Sequence, residues 1–145
     1  MKMSSFKRWS VGGALVGALA LGGCGTMSRE QTWTMDTTDR IPSASGKVKV
    51  KSEKDGNARV KVEVAHLAQP SQAFDQKAIY VVWLKPRAGT PQNVGVLNVD
   101  SKLKGELETR TAFKDFQVIV TAEETANTTA PSGQRVMDTH VVVPA

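Results

Sequence analysis

From Gly46 onward the chain alternates apolar and polar residues with a period of two, which restricts most of it to β-sheet. Val48 and Val50 alternate with Lys47, Lys49 and Lys51, and Val60, Val62 and Val64 alternate with Arg59, Lys61 and Glu63. Successive side chains of a strand point to opposite faces, so each segment has one apolar and one charged face. Between them Glu53 to Asn57 reads as a hairpin connection, with Gly56 free to take positive φ. Ala78 to Leu84 is apolar at both parities, the pattern of a central strand. Val94 to Val99, Leu103 to Arg110, Phe116 to Ala122 and Val136 to Val143 bring the set to seven.

The six prolines fall between or outside these segments, as residues that cannot donate to a sheet ladder should. No window of ten residues after Cys24 keeps a helical period. The pattern predicts an all-β domain over residues 46–145, an antiparallel Ig-like β-sandwich of about seven strands, with a closed barrel as the alternative. The chain has one cysteine, so no internal disulfide can staple it, and packing alone must hold about 100 folded residues together.

The N-terminal segment is of a different kind. Lys2, Lys7 and Arg8 precede the short apolar run Val11 to Leu21, and Gly22-Gly23 are small residues before Cys24. That is the order of a secretory signal with a small-residue processing site, here residues 1–23. The run falls short of the roughly 20 apolar residues that a membrane-spanning helix needs. Leu21-Gly22-Gly23-Cys24 resembles the lipobox of bacterial lipoproteins, whose cysteine is acylated and becomes the first mature residue. The resemblance implies lipidation of Cys24 by palmitate-type chains and a membrane anchor. Gly25 lacks the aspartate that retains many lipoproteins at the inner membrane, so the resemblance implies the outer membrane of a diderm cell. Gly25 to Ser45 is polar and reads as a tether with an end-to-end distance of about 25 Å. The alternation Thr32-Trp33-Thr34-Met35 within it leaves open a short extra strand docking on the domain.

A second resemblance is carried by Ile79 to Leu84, Val94 to Leu97, Phe116 to Glu123 and the turn Pro131-Ser132-Gly133. Together they are similar to the extracytoplasmic C-terminal domain of the anti-sigma-K factor family, which implies an all-β fold in a cell-envelope setting. Members of that family have a cytoplasmic sigma-binding part and a transmembrane helix, where this chain has its signal-like segment. The resemblance therefore transfers no binding or catalytic residue. It leaves an accessory role in anti-sigma-type envelope signalling as an alternative function.

Charge narrows the partners. The chain carries 19 Lys+Arg and 14 Asp+Glu, formally +5. Removing residues 1–23 takes away three bases and no acids, so the mature balance is 16 − 14 = +2. Such a balance, with no nucleic-acid motif, argues against nucleic acid as a partner. His66 and His140 stand without further metal-ligand spacing, so no metal or cofactor is expected. Glu123-Glu124 read as bounding a loop, and no catalytic motif is present, so no enzyme is expected, the alternative being an enzyme whose site is assembled from dispersed loop residues. Tyr80 and Trp83, of opposite parity, read as packing residues.

The least expected feature is the basic hairpin. A Lys54-Asp55-Gly56 loop pairs Glu53 with Asn57 and sets Lys51 opposite Arg59, Lys49 opposite Lys61 and Lys47 opposite Glu63. Lys47, Lys49, Lys51, Arg59 and Lys61 then form either a charged guard against edge pairing or an anion-binding face for headgroups or acidic polymers. The sequence reading is thus a lipid-anchored, non-enzymatic interaction or structural module of the cell envelope, bound to the membrane through Cys24 and to an envelope protein or anionic polymer through its surface.

Overall fold

The computed structural model describes residues 28–74 and 78–144; the signal-like segment and Cys24 lie outside them. Eight strands follow one another: β1 (Glu30–Thr37), β2 (Ser45–Ser52), β3 (Ala58–Ala65), β4 (Ile79–Pro86), β5 (Gln92–Leu97), β6 (Gly105–Thr111), β7 (Asp115–Glu123) and β8 (Gln134–Val142). A single-turn helix, α1 (Pro70–Ala73), lies between β3 and β4, with its proline in the first turn where no N–H is needed. Pro86 is the last residue of β4, so one proline does enter a strand, at its terminus.

All pairings are antiparallel, and the strands form one sheet in the order β5-β4-β7-β8-β1-β2-β3-β6. This corrects the expectation of seven strands in two separate layers. The additional strand is β1, in the segment read as a tether. Its residues Glu30 to Met35 pair with Lys51 to Gly46 of β2, and its last two, Asp36 and Thr37, pair with Asp138 and Met137 of β8. One strand thereby joins what would otherwise be a four-stranded group, β5-β4-β7-β8, and a three-stranded one, β2-β3-β6. The outer strands β5 and β6 approach one another and are linked by the bridge Val99↔Gly105, so the sheet nearly closes into a barrel.

The inward parity of each strand fills the interior. Val48, Val50, Val60, Val62 and Val64 come from the β2–β3 hairpin, Tyr80, Val82 and Leu84 from β4, and Phe116, Val118 and Val120 from β7; all are buried. Met35 reaches the same core from β1, as do Val136, Met137 and Val141 from β8. At about 25 cal/mol per Å² of apolar surface removed from water, this packing is the main favourable contribution to the fold. Tyr80 turns its phenol to the rim, where it donates to the Ala68 carbonyl (2.7 Å), and burial pushes its pKa up to about 12.

Since β1 occupies the middle of the strand order, the folding unit begins upstream of Gly46. A chain starting at Gly46 leaves β2 and β8 with bare edges and opens the core beneath Met35. We expect it to be unfolded or aggregated, while a chain starting at Gly25 folds without metal or disulfide. Circular dichroism and urea titration of the two will decide. A cooperative β-type transition in the shorter chain would show that β1 is dispensable.

Candidate functional site

The β2–β3 register matches the spacing of the turn. The Glu53 N–H donates to the Asn57 carbonyl (2.8 Å), Gly56 has φ 85°, and Lys47↔Glu63, Lys49↔Lys61 and Lys51↔Arg59 are partners. Like charges do stand opposite one another, at a cost that cross-strand pairs usually avoid. β6 on the far side of β3 sets Lys61 beside Glu108 but also Glu63 beside Glu106 and Arg59 beside Arg110, so relief comes on the diagonals. The ion pairs mostly run diagonally. Lys49 Nζ lies 2.9 Å from Glu63, and Lys61 Nζ lies 3.1 Å from Glu106 and 3.4 Å from Glu63. Arg59 meets Glu53 at 2.8 Å, and Arg110 is bound to both Glu53 and Asp55.

The outer face of β1, β2, β3 and β6, with the hairpin loop, carries seven bases, namely the five hairpin residues, Lys54 and Arg110. Against these stand seven acids, Glu30, Asp36, Glu53, Asp55, Glu63, Glu106 and Glu108, so the face sums to 7 − 7 = 0. It is a lattice of mixed charge in which Lys49, Arg59 and Lys61 are engaged. Lys47 and Lys51 are exposed and make no ion pair among the described residues. Lys47 borders an open cleft of about 600 Å³ that also exposes Asn98, Asp100 and Lys104.

The protonation tendencies follow the same contacts. The hydrogen bond from Lys49 is the chief cause that holds the Glu63 carboxyl below its usual range, with Lys61 adding to it. Glu106, and then Glu63, raise the Lys61 ammonium. Glu53 raises the Arg110 guanidinium, and the Asn57 backbone N–H does most to lower Asp55. In these four groups the neighbours favour the charged form, as expected of a structural network. Each pair is exposed enough for solvent and salt to weaken it.

A second polar cluster occupies the opposite side of the barrel, on the outer face of β4 and β7. Val81, Trp83 and Ile119 are buried there, separate from the main core. The Trp83 Nε1–H donates to Thr121 Oγ1 (2.8 Å), and the Thr121 hydroxyl donates to Glu123 Oε1 (2.5 Å). Glu123 also accepts the backbone N–H groups of Ser132 and Gly133 and the Ser132 hydroxyl (2.8 Å). Burial, the largest single influence, pushes the carboxyl up, but the donors from Thr121, Ser132 and Gly133 together outweigh it and hold it below its ordinary value. This carboxylate pins the loop after β7 to the barrel. Gly133 passes so close that a Cβ would stand 1.6 Å from the Ala122 carbonyl oxygen. Sequence reading placed Glu123 beside a loop but missed its burial, because its donors lie nine and ten residues downstream.

The histidines are apart in the fold. His66 follows β3, whereas His140 is on the outer face of β8 with Nε2 2.5 Å from Asp115. The contact with His140, and then that with Arg87, lowers Asp115. Among the described residues no three His, Cys, Asp or Glu side chains are grouped to hold a metal ion, and no helix is long and apolar enough to cross a membrane. No family model and no curated protein matches this chain.

Glu123→Gln keeps the shape but replaces one accepting oxygen with an NH₂ that faces donors. We expect a loss of about 1–3 kcal/mol, the usual cost of buried groups left unpaired, measured by urea denaturation. Because the folded carboxyl titrates below its ordinary 4.5, its contribution is complete above that value and disappears as pH falls through the lower folded one. The stability gap between wild type and variant should therefore narrow on acidification, and a gap independent of pH would argue against an ionised Glu123.

For the lattice, Lys61→Glu sets a fourth acid among Glu63, Glu106 and Glu108. The variant should melt below wild type at low salt, and the difference should shrink as salt is added. Equal melting temperatures at low salt would mean that the lattice contributes nothing to stability.

Proposed function

We propose that the protein is a lipid-anchored, non-enzymatic module of a bacterial cell envelope, held to the membrane through acylated Cys24 and recognising its partner with the outside of a filled barrel. The observation that carries this reading is the junction of two parts: Leu21-Gly22-Gly23-Cys24 follows a signal-like segment, and only Gly25 to Arg29 separates that cysteine from the first strand residue, Glu30. The six steps from Cys24 to Glu30 span at most about 20 Å even when fully extended. An acyl group on Cys24 would thus keep the barrel beside the membrane, closer than a 21-residue tether would.

Two features of the barrel support a surface role. Side chains from all sides occupy its interior, with Tyr80, Phe116, Leu67 and Leu84 among the largest that are fully buried, and the clefts near its surface are open. The buried carboxylate and hydroxyls of Glu123, Thr121 and Tyr80 are engaged in internal hydrogen bonds that fix loops. Recognition of an envelope protein or an anionic polymer would then fall to exposed groups such as Lys47 and Lys51. By likeness to other lipoproteins, Gly25 after the acylated cysteine suits the outer membrane in a diderm cell.

The test is metabolic labelling of the full chain in a bacterial host with tagged palmitate. Wild-type protein should take up the label and sediment with membranes, whereas Cys24→Ala should do neither. Unlabelled wild-type protein in the soluble fraction would overturn the reading.

A further inference from the structure

We propose that the end of the barrel from which the chain leads back to Cys24 is a membrane-apposed surface that engages anionic lipid headgroups. The inference rests on the lipid-anchor reading and goes beyond it by fixing which way the barrel faces. In this antiparallel order, β1, β3, β5 and β7 begin at one end, and β2, β4, β6 and β8 finish there. That end therefore gathers the β2–β3 hairpin, the β4–β5 and β6–β7 loops, the residues after β8 and the chain leading from Cys24. Contacts tie these pieces together. Lys114 donates to the Gly56 carbonyl, the Val143 N–H donates to the Lys114 carbonyl (2.7 Å), and Arg87 Nη1 lies 3.2 Å from Asp115.

Eight bases and four acids stand at this end, a sum of 8 − 4 = +4. Arg59, Arg87 and Arg110 are tied to Glu53, Asp55 and Asp115, and Lys51 faces Glu30 across the register. Arg29, Lys54, Lys85 and Lys114 are exposed and make no ion pair among the described residues. The opposite end is different. There Asp36, Asp39, Asp100, Glu123 and Glu124 outnumber four bases in the described chain, 4 − 5 = −1. A domain whose mature charge is only +2 is thus polarised along its axis, with the positive pole where the proposed anchor leaves it.

The short linker makes that polarity effective. Six residues hold the positive end within about 20 Å of the acylated cysteine, and the field of an anionic bilayer decays over about 8 Å at physiological ionic strength. The unpaired lysines at the rim can reach that layer, whereas those at the far end of the barrel cannot. Basic residues beside a membrane anchor are drawn to anionic headgroups by this attraction. The surface needs no pocket and reads no headgroup structure; it responds to the density of negative charge.

The experiment uses the full processed lipoprotein, seated in phosphatidylcholine vesicles with or without phosphatidylglycerol. Lysines are labelled by an amine-reactive reagent and quantified by peptide mass spectrometry. Lys54 and Lys114 should react several-fold more slowly on the anionic vesicles, and high salt should abolish the difference. Lys102 and Lys104, at the far end, should react equally on both. In the variant carrying Lys54→Glu and Lys114→Glu, the slowing at Lys51 and Lys85 should disappear. Equal reactivity of the two ends on anionic vesicles, in protein that is acylated and vesicle-bound, would overturn the proposed orientation and leave the anchor intact. Protein that is never acylated and stays in solution would overturn both.

Discussion

The fold depends on the double pairing of β1. Without it the strands fall into a four-stranded group, β5-β4-β7-β8, and a three-stranded one, β2-β3-β6, and each group exposes an unpaired edge next to an apolar face. β1 supplies the ladder for both edges in turn: six residues for β2, then two for β8. Its side chains add little apolar area, since Met35 is its only buried residue and Trp33 is half-buried. The contribution is mainly in the backbone, whose N–H and C=O groups must be paired wherever water is excluded. The curl of the sheet then brings β5 and β6 near one another at the Val99↔Gly105 bridge and nearly closes the interior that the valines of β2 and β3 line.

Once the barrel is closed, its two outer faces solve different problems with polar groups. On the β2–β3–β6 side, charges of both signs stay in solvent, and like-charged cross-strand partners such as Lys49 and Lys61 are compensated by Glu63 and Glu106 on the diagonals. On the β4–β7 side the surface is covered, and a charge left there without donors would be costly. Glu123 is tolerated because hydroxyl and backbone donors converge on it, and through Thr121 the same chain of bonds takes up the indole N–H of Trp83. The first arrangement is loose and sensitive to salt. The second is dry and fixed, and it anchors the long connection between β7 and β8.

Much of the strand content was legible because it rests on local alternation. The β2–β3 hairpin is the clearest case: loop length and the position of Gly56 determine the register, and the structure has Glu53 opposite Asn57 with every lysine partner that follows. Ala78 to Leu84 was legible as a strand covered on both sides, and Phe116 to Ala122 as a strand. What could not be read is what depends on distant partners. Only Trp33 and Met35 mark β1 as apolar, too little to separate a strand from a polar tether, and its stability comes from neighbours on both sides. The neutrality of the basic face depends on Glu106 and Glu108, whose position beside β3 follows from long-range pairing and from no local pattern. Tyr80 and Trp83 were recognisable as packing residues, but that one enters the core while the other joins Glu123 outside it is a matter of sheet geometry.

The position of β1 also bears on how an anchor would act on the domain. A strand at a sheet edge can be peeled away one hydrogen-bonded pair at a time. β1 is an interior strand, and a pull from Cys24, the proposed lipid site, would act along it from Glu30. That pull loads its pairs with Lys51 to Gly46 of β2 together, in shear, because the strand must slide past its neighbour to escape. The two pairs with β8 lie at the far end of β1, beyond the point where the load enters, and Met35 in the core resists the same displacement. Interior placement of the first strand therefore does two things with one element. It bridges the two strand groups, and a pull through the proposed anchor at Cys24 would enter the sheet through its pairs with β2.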